Sequence, residues 1–138
     1  MRQRLSMAAA TVGLLVAVGP VMAHHSFAAE YDANRPVALK GAVTKCEWIN
    51  PHSWVYIDVK GADGSVVNWA IELGGPNALL RRGWSKDSLP IGSQIVVEGY
   101  QAKNGSQMAN ASNITTADGK KMFAGSSGTG APPEKPEK

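Results

Sequence analysis

A single cysteine, Cys46, is present in 138 residues. An internal disulfide is therefore excluded, and a domain of this size must hold itself together by its core. Charge of one sign is also scarce. The chain carries 14 Lys and Arg against 11 Asp and Glu, and two of those arginines, Arg2 and Arg4, belong to the first few residues. Without them the formal charge is +1, so the basic sequence pI is no argument for a nucleic-acid partner. The pairs Arg81-Arg82 and Lys120-Lys121 are too small a cluster for a phosphate-binding stripe. No apolar run is long enough for a comfortable membrane span, which needs about 20 residues. Enzyme signatures are missing too: there is no nucleophile elbow, P-loop, dinucleotide fingerprint or HExxH helix. The expectation is a binding protein that is not an enzyme. Histidine is rare, at three residues, and its placement is uneven. His24 and His25 stand side by side in VMAHHSF, and His52 lies in INPHSW.

The first of these stretches follows what reads as a signal peptide over residues 1–23. Arg2 and Arg4 make a basic start, MAAATVGLLVAVG over 7–19 is apolar, Pro20 breaks the run, and Val21 and Ala23 are small. That pattern predicts export to the periplasm or beyond, with cleavage between Ala23 and His24. His24 then becomes the first residue of the mature chain. No stable membrane span is expected after processing.

The rest divides by pattern. Residues 24–37, with Asn34, Arg35 and Pro36, show little periodicity and read as an extended N-terminal arm. Residues 38–124 read as an all-β, OB-fold-like five-stranded barrel with one short helix between strands three and four. The first strand, 38–49, is long and carries Gly41, a sign of a bend or bulge. Strand 53–59 alternates, with Val55, Ile57 and Val59 on one face and Trp54, Tyr56 and Asp58 on the other. Asp63-Gly64 marks a hairpin tip, and 66–73 alternates again with Val67, Trp69, Ile71 and Leu73 inward. Pro76 opens a short helix that Gly83 stops. Strands over 93–102 and 108–116 follow, and KKMFA after the Asp118-Gly119 turn can pair back. A small barrel or sandwich of another topology is the alternative. Residues 125–138 have nothing to bury and read as a disordered tail.

HHSF, EWINPHSW, NWAIELGGPNALLRRGW and GSQIVVEGYQAKNG together resemble a family of short exported bacterial proteins classed as a domain of unknown function. The resemblance covers nearly all of residues 24–125. It implies export, a single domain and the pairing of HHSF with NPH, and it supplies no reaction.

The chemistry to expect starts from His24 as a new N-terminus. Its α-amine, with a pKa of about 7.7–8.0, can lose a proton to a metal near neutral pH. The amine and the imidazole Nδ1 of the same residue can chelate one ion, and a further imidazole completes a nitrogen set of the kind that favours Cu(II). Adjacent residues of an extended arm point opposite ways, so His52 is the better third ligand and His25 the secondary one. The expected site is thus copper on His24, His25 and His52. Against it stands a plain polar arm, with His52 an ordinary loop residue.

Glu72 could be a further ligand or could orient a histidine; a solvated strand carboxylate is the simpler reading. Trp54 and Tyr56 could form a ligand face, or pack under the arm or helix. Cys46 reads as a small buried thiol, and Met108 and Met122 are too scattered for a methionine-rich Cu(I) site. The sequons at Asn104, Asn110 and Asn113 read as polar turn composition. The competing function is an OB-type module that binds a small ligand, glycan or protein partner without metal.

Overall fold

The computed structural model describes residues 27–125. Residues 1–26, which take in the expected signal peptide and His24 and His25, and residues 126–138 lie outside them. In chain order the elements are α1 (Phe27–Glu30), β1 (Tyr31–Glu47), β2 (Trp54–Lys60), β3 (Val66–Glu72), α2 (Pro76–Arg81), β4 (Gln94–Ala102), β5 (Met108–Thr115) and β6 (Lys121–Phe123).

The six strands form one sheet in the order β3-β2-β1-β4-β5-β6, and β3 also pairs with β5. Five strands thus close a hydrogen-bonded ring, with β6 added outside it on β5. Neighbours are antiparallel except β3 and β5, which run parallel over Ala70–Glu72 and Met108–Asn110. The ring needs one strand that serves two partners, and β1 is that strand. Its later half pairs with β2 and its earlier half with β4, and Gly41 and Ala42 pair with both. Gly41 stands at this overlap, where an added Cβ would sit 2.6 Å from the Asp58 carbonyl oxygen. Only glycine permits so close an approach. A bulge between Val43 and Lys45 adds to the bend.

Alternation along the strands fills the ring. Val43, Val55, Ile57, Ile71, Leu73, Ile95, Val97 and Ile114 are buried in one cluster with Leu79, Trp84 and Leu89. Each large apolar side chain so buried contributes about 1.5–3 kcal/mol. The short helix α2 exists to deliver Leu79 to that cluster. Pro76 opens it, and Arg82 and Gly83 close its last turn by donating to the Leu79 and Leu80 carbonyls. Gly83 takes φ +89°, the left-handed turn expected of a helix stop. Trp84 then seats its indole, donating to the Phe123 carbonyl at 2.9 Å.

Two expectations change. Residues 27–37, read as an extended arm, form a helical turn and the first seven residues of β1. The reason is tertiary: β4 offers partners to this weakly patterned stretch, pairing Pro36 with Tyr100 and Tyr31 with Ala102. Asn110 and Asn113 are buried within β5, so only Asn104 of the three sequon asparagines sits in a turn.

Gly99 lies at a bulge between β4 and β5, where an added Cβ would be 2.0 Å from the Asn110 carbonyl oxygen. Gly99→Ala should therefore force the two strands apart and cost about 1–3 kcal/mol. Urea denaturation should show a lowered midpoint. An unchanged midpoint would contradict the close approach at this bulge.

Candidate functional site

His52 sits in the loop between β1 and β2, and that loop is tied down on both sides. The Ser53 amide donates to the Gly74 carbonyl at 3.0 Å, and Leu73 donates back to the Ser53 carbonyl at 2.8 Å. The Pro51 carbonyl oxygen lies where a Cβ on Gly75 would meet it at 2.7 Å, so glycine at 75 is what lets the loop approach. His52 is thereby held beside the end of β3.

There its Nδ1 lies 2.8 Å from Oε1 of Glu72. The His52 side chain is only 12% exposed and that of Glu72 only 6%. Oε2 of the same carboxylate accepts a hydrogen bond from the hydroxyl of Tyr31, itself a buried residue. The result is a buried chain of Tyr31, Glu72 and His52 that joins the start of β1, the end of β3 and the loop before β2. A carboxylate taken out of water is costly unless its oxygens are bonded; here both oxygens are. An ionised carboxylate can only accept, so Nδ1 is the donating nitrogen of His52. When the ring is neutral, Nε2 carries the lone pair. This is the arrangement by which a carboxylate orients a histidine toward a metal.

Tyr31 owes its position to aromatic packing. Its ring stacks on Phe27 at 5.8 Å between centroids, and Phe27 meets Tyr100 edge-on at 5.4 Å. Phe27 and Tyr31 are four residues apart, a spacing that brings side chains together on one turn of helix. Lys103 fastens α1 from the other side, its amide donating to the Glu30 carbonyl at 2.8 Å and its ammonium to the Ala28 carbonyl. The first described residue after the histidine pair, Phe27, is therefore packed into the same cluster as Tyr31.

Of the expected site residues, the structure brings His52 and Glu72 into contact. Glu72 is buried and doubly bonded, so the simple reading of a solvated carboxylate falls. His24 and His25 lie outside the described residues. Trp54 is half-buried and is the cross-strand partner of Glu72. Tyr56 is engaged locally: its hydroxyl donates to Glu47 at 3.1 Å, and the Lys45 ammonium sits 5.3 Å from its ring centre. Asp58 accepts from the Asn68 amide at 2.8 Å on an exposed face. Cys46 points its thiol at the Leu89 carbonyl, 3.6 Å away, and burial pushes that thiol up, away from the reactive thiolate. Met122 is in the core and Met108 packs beside Tyr31. Among the described residues, no group of three or more His, Cys, Asp and Glu could hold a metal ion.

Sequence reasoning missed Tyr31 and Asn110. The spacing of Phe27 and Tyr31 was the available signal for the first. For the second, an asparagine among the small residues of MANAS offered no cue to its burial.

Burial first, and then the hydrogen bond to Glu72, push the Tyr31 phenol well above its ordinary value near 10. A raised phenol adds stability that is fully present below pH about 10 and is lost as pH climbs toward the folded value. Among the three tyrosines, Tyr31 should resist ionisation in an alkaline absorbance titration until the protein unfolds. Tyr31→Phe should leave the early titration unchanged and lower stability at neutral pH by about 1–3 kcal/mol, since Glu72 loses a partner. A Tyr31 that ionises with the others in the folded protein would refute the buried bond.

No curated protein and no solved structure matches the chain. A family model does match, over residues 11–111, under the description "Family of unknown function (DUF6152)". On that match, which covers most of the strand ring, the chain belongs to this family of unknown function.

Proposed function

We propose that the protein is an exported copper-binding protein whose Cu(II) site is built from the mature N-terminal amine, the His24 imidazole and His52, with His25 adjacent or supplying an alternative nitrogen. The observation that carries this reading is the Glu72 contact at Nδ1 of His52, which leaves Nε2 for a metal. A second circumstance supports it. Phe27, three residues after His24, is packed beside Tyr31, whose hydroxyl reaches the same Glu72. Three residues span at most about 11 Å, a short reach that supports a site shared with His52. Copper suits such a set because tetragonal nitrogen donors favour it over other divalent ions. Binding, rather than catalysis, is the function in this reading.

The ring order β1-β2-β3-β5-β4 with a helix before β4 supports an OB-type barrel. On that scaffold the outer face of β2 and β3 carries Trp54 and Tyr56, which favours the second reading, a module binding a small ligand, glycan or protein partner there without metal. Ligand binding that survives His52→Ala and is lost on Trp54→Ala would select it.

Intact mass of the exported protein should show a chain that begins at His24. Copper titration of that protein should give an affinity that falls as pH drops, because the amine and imidazoles take up protons. One added residue before His24 should weaken binding strongly, since it turns the amine into an amide. His52→Ala should weaken it as well, and Glu72→Gln should cost about 10–100-fold. EPR should count the nitrogens. Equal binding by the native, N-extended and His52→Ala proteins would overturn the site.

A further inference from the structure

Strand β3 is paired unequally along its length. β2 runs beside it over Val66–Glu72, but β5 covers its other edge only at residues 70–72. Among the described residues, 66–69 therefore keep a free edge. Hydrogen bonds at either end of the stretch say which groups that edge shows. Ser65 offers its carbonyl to the Gly61 amide across the hairpin, whereas the Ala70 amide turns the other way and donates to the Gln107 carbonyl at 3.1 Å. Successive residues of an antiparallel strand alternate in the side to which their N–H and C=O point. The backbone groups of Val66 and Asn68 thus point away from β2. Exposed edges are ordinarily guarded by charge or proline. Residues 31–40 of β1, which pair only with β4, carry Asp32, Arg35, Pro36 and Lys40. Residues 66–70 read VVNWA, with neither. Val66 is 52% exposed and Val67 39%. The polar side chain of the stretch, Asn68, is drawn back over β2 and β1, donating to Asp58 at 2.8 Å and to Thr44 at 3.2 Å.

We propose that this edge pairs with the same edge of a second copy of the chain, antiparallel about Val67. The free groups select both the occupant and the register. Val66 and Asn68 have outward N–H and C=O to give, while the amides of Gly64 and Ala70 on either side are already bonded to Gly61 and Gln107. A twofold axis at Val67 sets Val66 of each copy opposite Asn68 of the other, and each such pair exchanges both backbone bonds. No other antiparallel register of the edge on itself uses all of these groups. The same axis sets Val67 against Val67 in a pair without hydrogen bonds, where Cα atoms approach to about 4.5 Å and side chains meet most closely. The exposed valine is thus covered by its own copy. Such pairing is isologous, so it consumes the edge on both copies and closes at a dimer rather than growing into a chain. The contact is short, far below the area of a stable interface, so the dimer is weak and forms at high protein concentration. It involves neither His52 nor the N-terminus, and it is independent of the copper reading.

The test uses the whole chain, with no segment removed, in EDTA so that no metal bridges two copies. Sedimentation velocity from micromolar to millimolar protein should show the mass rising toward twice that of the monomer. Val67→Lys sets two ammonium groups against each other at the axis, and Val66→Pro removes an edge N–H that no bond within the chain uses. Each should weaken the dimer at least about tenfold, the factor for one lost hydrogen bond or one like-charge pair, and leave the urea midpoint of dilute protein near that of wild type. Should either variant fail to fold, cross-linking decides. In a Cys46→Ala background, Val67→Cys should oxidise to a linked dimer at least about tenfold faster than Val66→Cys, since position 67 faces itself across the axis and position 66 lies beyond disulfide reach of its copy. Hydrogen exchange at the Val66 and Asn68 amides should slow as concentration rises. A monomer at every concentration overturns the proposal. A dimer that both variants leave intact, or cross-linking that is equal at the two positions, does the same. Full protection of those amides in dilute protein means that another part of the chain covers the edge, and it overturns the second copy as the occupant.

Discussion

Closure of the ring by β3 and β5 is the constraint on which the remaining structure depends. Three residue pairs make it, Ala70 with Met108, Ile71 with Ala109 and Glu72 with Asn110. On the inner face it completes the apolar cluster, since Ile71 and Ala109 are both fully buried there. On the outer face it sets a carboxylate beside an amide. The same three residues per strand thus seal the core and create the polar row. Closure also covers the edge that β3 would otherwise present to other chains at those residues.

The outer row is roofed by the N-terminal part of the chain. Phe27 and Tyr31 bury their rings against Tyr100 and Ala102, and Tyr31 spends its hydroxyl on Glu72. Packing and electrostatics are coupled here. The aromatic stack holds the Tyr31 hydroxyl on the carboxylate, and the two hydrogen bonds make the burial of that charge tolerable. The stack supports the carboxylate, and the carboxylate holds the Nδ1 side of His52. The loop 50–53 completes the arrangement through its bonds to Leu73 and Gly74 and its contact with Gly75.

The elements differ in how far they were legible. The β2–β3 hairpin was readable because both of its determinants are local: alternation puts Val55, Ile57 and Ile71 inward, and Asp63-Gly64 turns the chain with Gly64 at φ +82°. The short helix was readable from Pro76 and Gly83 for the same reason. The first half of β1 was not, because Tyr31–Val37 lacks alternation and is a strand only by virtue of β4. Cys46 was legible as a packed thiol, since a small residue on a strand facing Leu89 has little else to do.

By itself, the sequence determined the strand periods, the turns, the helix stop and the confinement of the three histidines to two short motifs. Those are short-range properties, set by side-chain type and backbone preference within a few residues. The tertiary structure alone decided that Glu72 meets Tyr31 and His52, and that Asn110 lies buried beside it. Residues 31, 52, 72 and 110 are far apart in the chain. Their meeting depends on which strands close the ring and in what register, and no local pattern encodes that.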